Sequence, residues 1–318
     1  MNIREEFGFE EGQNTIIEFE RILKDNDIDV RIGSDMESKF LSVFDILFHF
    51  ESGDALPSDV DKRILFRDFS SLYELALKVV SVKDHNDFNQ LIPHLKLLNK
   101  CSISQSSKSL ITDQDSNKII ELYIACICMR FCKNISLDHP DNSNGTNPDV
   151  IADIDGVNWG FACKTIHTIN PQTIYENIKK AVDQIEKSKS NVGVPVINLK
   201  NIIRHDEVWP KGKVFDSFLD PLGILAKNMS EISKSLDDNI GPDVLFELFN
   251  GKKSLPLIIF IGQGTTSVIH PVKLIPTATR LNLITYLDSE KEHIDDNHMN
   301  VLNKINHYIQ LANNDQVN

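Results

Sequence analysis

Apolar positions recur at helical spacing through the first hundred residues. In "GQNTIIEFERILKDNDI" Ile16, Ile17, Phe19, Ile22 and Leu23 fall on one side of a helix that Asn14 is placed to cap. "ESKFLSVFDILFHF" and "FSSLYELALKVVSV" keep the same period, and "DFNQLIPHLKLLNK" closes the segment. With no alternating strand pattern in this stretch, an α-helical N-terminal region is predicted over residues 1–105. The segment "SISQSSKSLITDQDSN", residues 102–117, is rich in Ser, Asp and Asn. It reads as a linker into a helix cap at Ser116, with a boundary near residue 105 and a second region over 106–318.

That second region opens with "NKIIELYIACICMRFC", an almost wholly apolar helix from Ile119 to Cys132 carrying one acid, Glu121, and one base, Arg130. A helix that is apolar all round is buried. A buried carboxylate must be paired, metal-bound or uncharged. After the polar loop "LDHPDNSNGTN" the period changes to two: "PDVIADID" and "VNWGFACKTI" read as strands joined by the hairpin signal Asp155-Gly156. "NPQTIYENIKKAVDQIEKSKS" is an amphipathic helix on Ile174, Ile178, Val182 and Ile185, and "VGVPVINLKNII" is a third strand. The order helix, strand, strand, helix, strand predicts an α/β fold, a mixed sheet with helices packed on it. Further on, "SFLDPLGILAKNMSEISKSLDDNI" and "DVLFELFNG" read as helices, "LPLIIFIGQG" as a buried strand and "HMNVLNKINHYIQLANN" as a terminal helix.

Composition adds limits to this outline. A hydrophobic fraction of 41% and a charged fraction of 25% are those of an ordinary globular chain. The segment MNIREEFGFEEGQ lacks the features of a secretory signal, and no apolar run approaches the roughly 18 residues of a membrane span, so a cytoplasmic protein without membrane contact is expected. Cys101, Cys126, Cys128, Cys132 and Cys163 form an odd set with three in one apolar helix, which fits reduced core thiols. A net charge of -13 argues against a surface that attracts nucleic acid everywhere. Residues 164–213 nevertheless hold Lys164, Lys179, Lys180, Lys187, Lys189, Lys200, Arg204, Lys211 and Lys213 against five acids. This excess is either a local basic groove or the solvated face of a helix and its loops.

Candidate chemistry gathers around the hairpin. Hydrolysis of a phosphodiester with a divalent metal needs hard oxygen ligands and a positive group near the attacking water. Residues two apart on a strand share a face, so Ala162 and Lys164 aim at one place. Asp149 opens the partner strand and Glu121 can reach the same pocket from the buried helix. Pro148 and Asp149, then "FACK" with Lys164, preceded by Glu121 and followed by Gln184 on the next helix, resemble the PD-(D/E)XK nuclease superfamily, the restriction-endonuclease-like fold. The match covers about residues 115–200.

The resemblance implies that Asp149 and an acid at position 162 bind Mg²⁺, with Mn²⁺ as a substitute. It further implies that Glu121 adds a ligand, Lys164 assists the nucleophilic water and Gln184 shapes the site. Ala162 departs from the pattern: a methyl group cannot bind a metal, so the chain as written is expected to hold metal poorly and to be inactive. An inactivating substitution is the preferred explanation, and a natural pseudo-nuclease that keeps the fold as a binding surface is the other. The function expected is metal-dependent hydrolysis of nucleic acid, DNA before RNA, in prokaryotic restriction or antiphage defence, with a protein partner or a homo-oligomer. The alternative is a catalytically dead nucleic-acid-binding or assembly subunit.

Other features are weaker. A second Pro-Asp pair, Pro242-Asp243, leads into a helical pattern with no matching strand pair. "IGQGTTS", residues 261–267, lacks the glycine-lysine pair of a phosphate loop and reads as a strand-to-turn transition. His139 and His167 lie near the proposed pocket in sequence and are candidate substrate contacts, while no HExxH or Gly-x-Ser-x-Gly motif is present.

Overall fold

The computed structural model describes residues 9–53, 61–104, 117–140, 147–288 and 294–310. The N-terminal stretch is helical among the described residues: α1 (Phe9–Asp25), α2 (Asp35–Ser52), α3 (Lys62–Val80) and α4 (Ile92–Leu97), the last flanked by short 3-10 turns. Asn14 lies inside α1 and does not cap it, because the helix already begins at Phe9. Working caps are Ser34, whose side chain accepts from the Glu37 N–H, and Asp61, which accepts from the Arg63 N–H. Ser116 lies outside the described residues; α5 (Lys118–Met129) is preceded by Asn117, which makes no capping bond.

The rest is an α/β arrangement around one six-stranded mixed sheet in the order β1-β2-β3-β4-β5-β6. The strands are β1 (Asn134–Leu137), β2 (Val150–Ile154), β3 (Val157–Thr165), β4 (Val192–Asn198), β5 (Leu257–Ile269) and β6 (Pro276–Asp288). Neighbours pair antiparallel except β3–β4 and β4–β5, which are parallel. The β3-to-β4 crossover is α6 (Pro171–Lys187), and the β4-to-β5 crossover holds α7 (His205–Val208), α8 (Leu219–Asn239) and α9 (Pro242–Glu247). The final helix is α10 (Asp296–Gln310).

The hairpin signal works as its chemistry requires. Ile154 pairs with Val157, and Asp155 and Gly156 take φ of 54° and 83° between them. Both central residues of the tightest hairpin turn need positive φ, which an Asp-Gly pair tolerates. Two strands escape the sequence pattern. β1 is only four residues long, at the edge of the polar loop, and is held by pairing with β2. β6 mixes polar and apolar residues and is a strand because its whole length pairs with β5.

Alternation sorts the sheet's side chains into two layers. Val150, Ala152, Trp159, Phe161, Cys163, Val194 and Ile259 join the N-terminal helices, α5 and α10 in one apolar cluster. Ile197, Ile258 and Phe260 face the other way, onto Ile174, Ile178 and Val182 of α6 and Met229 of α8. Full burial of each such side chain contributes about 1.5–3 kcal/mol. Residues 261–267 are not a turn: β5 runs unbroken through them, and a Cβ at Gly262 would overlap Met229 Sδ. Glycine there lets α8 lie close to the sheet. Pro242-Asp243 begins α9, away from any strand pair. All five cysteines are buried, and burial pushes the Cys126 thiol up to about 12.

Candidate functional site

The start of β2, the end of β3 and the first turn of α5 bring the sequence-derived residues together. The β2–β3 register ends at the Val150–Phe161 pair; continued by one residue, it would set Asp149 opposite Ala162. Directly opposed residues of an antiparallel pair project from the same face, with Cβ atoms about 4.5–5.5 Å apart. Lys164 lies two residues further along that face of β3, and its Nζ is 3.6 Å from Asp149 Oδ2. The same Asp149 oxygen accepts the Cys163 backbone N–H at 2.6 Å.

Glu121 meets this group from α5, within hydrogen-bond reach of Asp149. Lys118, one turn earlier, places Nζ 2.7 Å from Glu121 Oε1 and 3.0 Å from Oε2. His94 of α4 completes the contact, with Nε2 3.0 Å from Glu121 Oε2. Glu121, Asp149 and His94 are only 2%, 3% and 2% exposed, so the electrostatics of the site are those of an interior.

Burial sets the protonation states. It drives Asp149 up to about 7, and the nearby Glu121 carboxyl pushes the same way while Lys164 and Lys118 oppose. Glu121 is raised by burial as well, against the pull of Lys118. His94 is driven down to about 4, first by burial and then by Lys118. A neutral His94 with Nε2 facing a carboxyl carries its proton on that nitrogen and donates to Glu121.

Ala162 and Gln184 are placed differently from the other three. Ala162 is fully buried and packs with Ala181 and Ile185 of α6. Gln184 is buried on α6, and its Oε1 has no hydrogen-bond partner among the described residues. Of the two candidate histidines, His139 is close enough to His94 to lower its proton affinity, and His167 Nδ1 lies 3.2 Å from Asn201 Nδ2. Sequence reasoning missed His94 and Lys118. Lys118 had a signal, since lysine three residues before a glutamate on a helix is a pairing distance. His94, alone in "LIPHLKLL", had none.

This donor set does not suit Mg²⁺ or Mn²⁺. Octahedral coordination draws on several oxygens, and the site offers two carboxyls with a methyl group at position 162. Lys118 and Lys164 already stand where a divalent cation would neutralise those carboxyls. Among the described residues, no group of three or more His, Cys, Asp or Glu side chains converges to hold a metal ion. Comparison of the chain with protein-family models, curated proteins and solved structures gives no match. No helix among the described residues is long and apolar enough to cross a membrane.

Proposed function

We propose that this chain carries the core of a metal-dependent nuclease of the PD-(D/E)XK type, acting on DNA before RNA, in which Ala162 removes one metal ligand. The observation that carries the reading is the convergence of Asp149, Lys164 and Glu121 at one buried place beside β3, two residues along from Ala162. These residues come from three elements, and no local propensity demands an acid, a base and a second acid at one buried point. In this reading Asp149 and an acid at 162 hold the cation, Glu121 supports them and Lys164 faces the phosphate. Gln184, whose buried amide oxygen has no partner among the described residues, closes the α6 side. Restriction or antiphage defence, in complex with a partner or as an oligomer, is the setting proposed by analogy.

The second reading, a binding or assembly subunit without catalysis, is favoured by one observation. Ala162 fits among Ala181 and Ile185 with none of its surface exposed, as a residue adapted to that place does.

Nuclease assays of Ala162→Glu beside the unchanged chain, on plasmid DNA and on RNA with Mg²⁺, Mn²⁺ or EDTA, separate the readings. Metal-dependent cleavage by Ala162→Glu, lost again when Lys164→Ala is added, supports the nuclease. No cleavage by either protein, together with nucleic-acid binding that weakens as salt rises, assigns the binding subunit, because phosphate contacts release counterions. Absence of both overturns the nucleic-acid reading.

A further inference from the structure

A second polar cluster lies where α3 crosses the sheet beyond the end of β4. Arg67, Ser71, Glu74, Lys200, His205 and Arg280 line a pocket there. Its charges are not balanced. Glu74 is the carboxylate among these residues, and its oxygens are taken by Arg280 Nη1 at 3.1 Å, the Tyr123 hydroxyl at 2.6 Å and Asn282 Nδ2 at 3.2 Å. Lys200 Nζ has Ser71 Oγ at 3.1 Å and no ion pair among the described residues. Among the described residues Arg67 comes no closer to a carboxylate than 3.9 Å, to an Asp206 whose side chain is 83% exposed and already held by Arg63 at 3.2 Å. Asp68, the other nearby acid, is paired with Lys39 at 3.0 Å.

Two buried polar atoms in this pocket lack partners among the described residues: Arg67 Nε and His205 Nδ1. His205 is 6% exposed, and its Nε2 lies 2.9 Å from the Lys200 carbonyl oxygen. A carbonyl only accepts, so Nε2 carries the proton and Nδ1 presents a lone pair. Burial and the neighbouring Arg67 hold this imidazole down to about 4, which keeps it neutral near pH 7. Burial, with Arg280 and Arg67 adding to it and Glu74 opposing, likewise lowers Lys200 to about 8. A cluster of under-neutralised cations beside a buried acceptor suits an oxyanion that also bears a hydroxyl.

We propose that this pocket binds a phosphate group carrying one acidic hydrogen, with Arg67, Lys200 and Arg280 on its oxygens and His205 Nδ1 accepting from its hydroxyl. The hydroxyl distinguishes this ligand from sulfate, which has none near neutral pH. The phosphate is either inorganic phosphate, whose dianion keeps one hydrogen at neutral pH, or the terminal phosphate of a nucleic-acid strand bound as its monoanion, the form that the Nδ1 acceptor selects over the hydrogen-free dianion. Lys164 pairs with Ile197 of β4 and Lys200 lies three residues beyond, so the pocket sits on the order of 10–15 Å from Lys164. That span fits a strand crossing both places. The terminal-phosphate source rests on the nuclease-like reading above, whereas phosphate binding itself does not.

Titration of the full chain with inorganic phosphate at pH 7, followed by calorimetry and by ³¹P NMR, tests the proposal, with sodium sulfate in parallel. Saturable phosphate binding, at least tenfold tighter than sulfate and weakened at least tenfold in both Lys200→Gln and Arg280→Gln, is expected. Circular dichroism checks that the variants fold; if they do not, the phosphate and sulfate titrations of the unchanged chain decide alone. No saturable phosphate binding by the unchanged chain, or equal affinity for sulfate, overturns the proposal. A 5′-phosphorylated oligonucleotide that binds at least tenfold tighter than its 5′-hydroxyl counterpart assigns the strand terminus as the ligand. Equal binding of the two oligonucleotides, with inorganic phosphate bound, assigns the free phosphate.

Discussion

Asp149 and Ala162 flank the Val150–Phe161 pair that ends the β2–β3 register, and Lys164, two residues beyond Ala162 on the same face of β3, sets its Nζ 3.6 Å from Asp149 Oδ2. Two acids at these positions repel unless a cation lies between them. The pair therefore reports directly on whether the site is built around a metal.

Ala162→Glu is expected to lower the unfolding free energy by about 2–3 kcal/mol in EDTA, since it sets a carboxylate against Ala181 and Ile185. Millimolar Mn²⁺ or Mg²⁺ should recover at least half of that loss and leave the unchanged chain unaffected. Urea denaturation with and without metal makes the comparison. Equal metal response in both proteins removes position 162 from any metal site.

The pH dependence of stability separates Asp149 from His94. Asp149 keeps its proton to about pH 7 in the fold, against an ordinary value of 3.8, so the folded chain binds more protons between these limits. Its contribution to stability therefore falls as pH rises from about 4 to about 7. His94 is held to about 4 against an ordinary 6.5, so its contribution falls as pH drops through that window. Asp149→Asn should thus gain stability from pH 4.5 to 6.5 more steeply than the unchanged chain, by up to about 1.4 kcal/mol per pH unit. Parallel curves from urea denaturation would mean that Asp149 is ionised throughout.

Lys118→Met should cost about 3 kcal/mol near pH 8. It strips Glu121 of its cation inside a buried network, and breaking one side of such a pair leaves an uncompensated charge. The loss should shrink at pH 5, where Glu121 more readily takes up a proton, as thermal unfolding at the two pH values will show. A pH-independent loss would assign Lys118 a packing role alone.

Gly262→Ala should destabilise the fold by about 1–3 kcal/mol through overlap with Met229. Adding Met229→Ala should make the pair more stable than the sum of the two single losses predicts, by at least about 0.5 kcal/mol on the scale of contacting residues. Simple additivity in a double-mutant cycle would place the strain elsewhere.

How far the chain could be read in advance follows from the range of each signal. The helical period over 9–104 and the strong β runs at 157–165 and 192–198 mark their elements because each carries its own pattern. β1 and β6 carry little pattern of their own and exist through pairing with a neighbour. The glycines at 262 and 264 suggest a turn to a local reading, whereas pairing with Leu283 and Leu281 of β6 keeps them in a strand.

The sequence by itself determined that Ala162 and Lys164 share a face, that Asp155-Gly156 turns a hairpin and that Glu121 must find partners in a core. Each of these depends on residues a few positions apart, where the period of two, the period of 3.6 and positive φ act. Only the tertiary structure decided that His94 and Asp149 come to Glu121, and that Lys164 reaches Asp149. It also decided that Arg67, Lys200, His205 and Arg280 meet in one pocket. Those groups come from α3, α7, the end of β4 and β6, and a period of two or 3.6 carries no information on which distant faces will close against each other. Burial of the apolar layers chooses those faces, and the buried charges are then left to find partners among whatever the closure brings near.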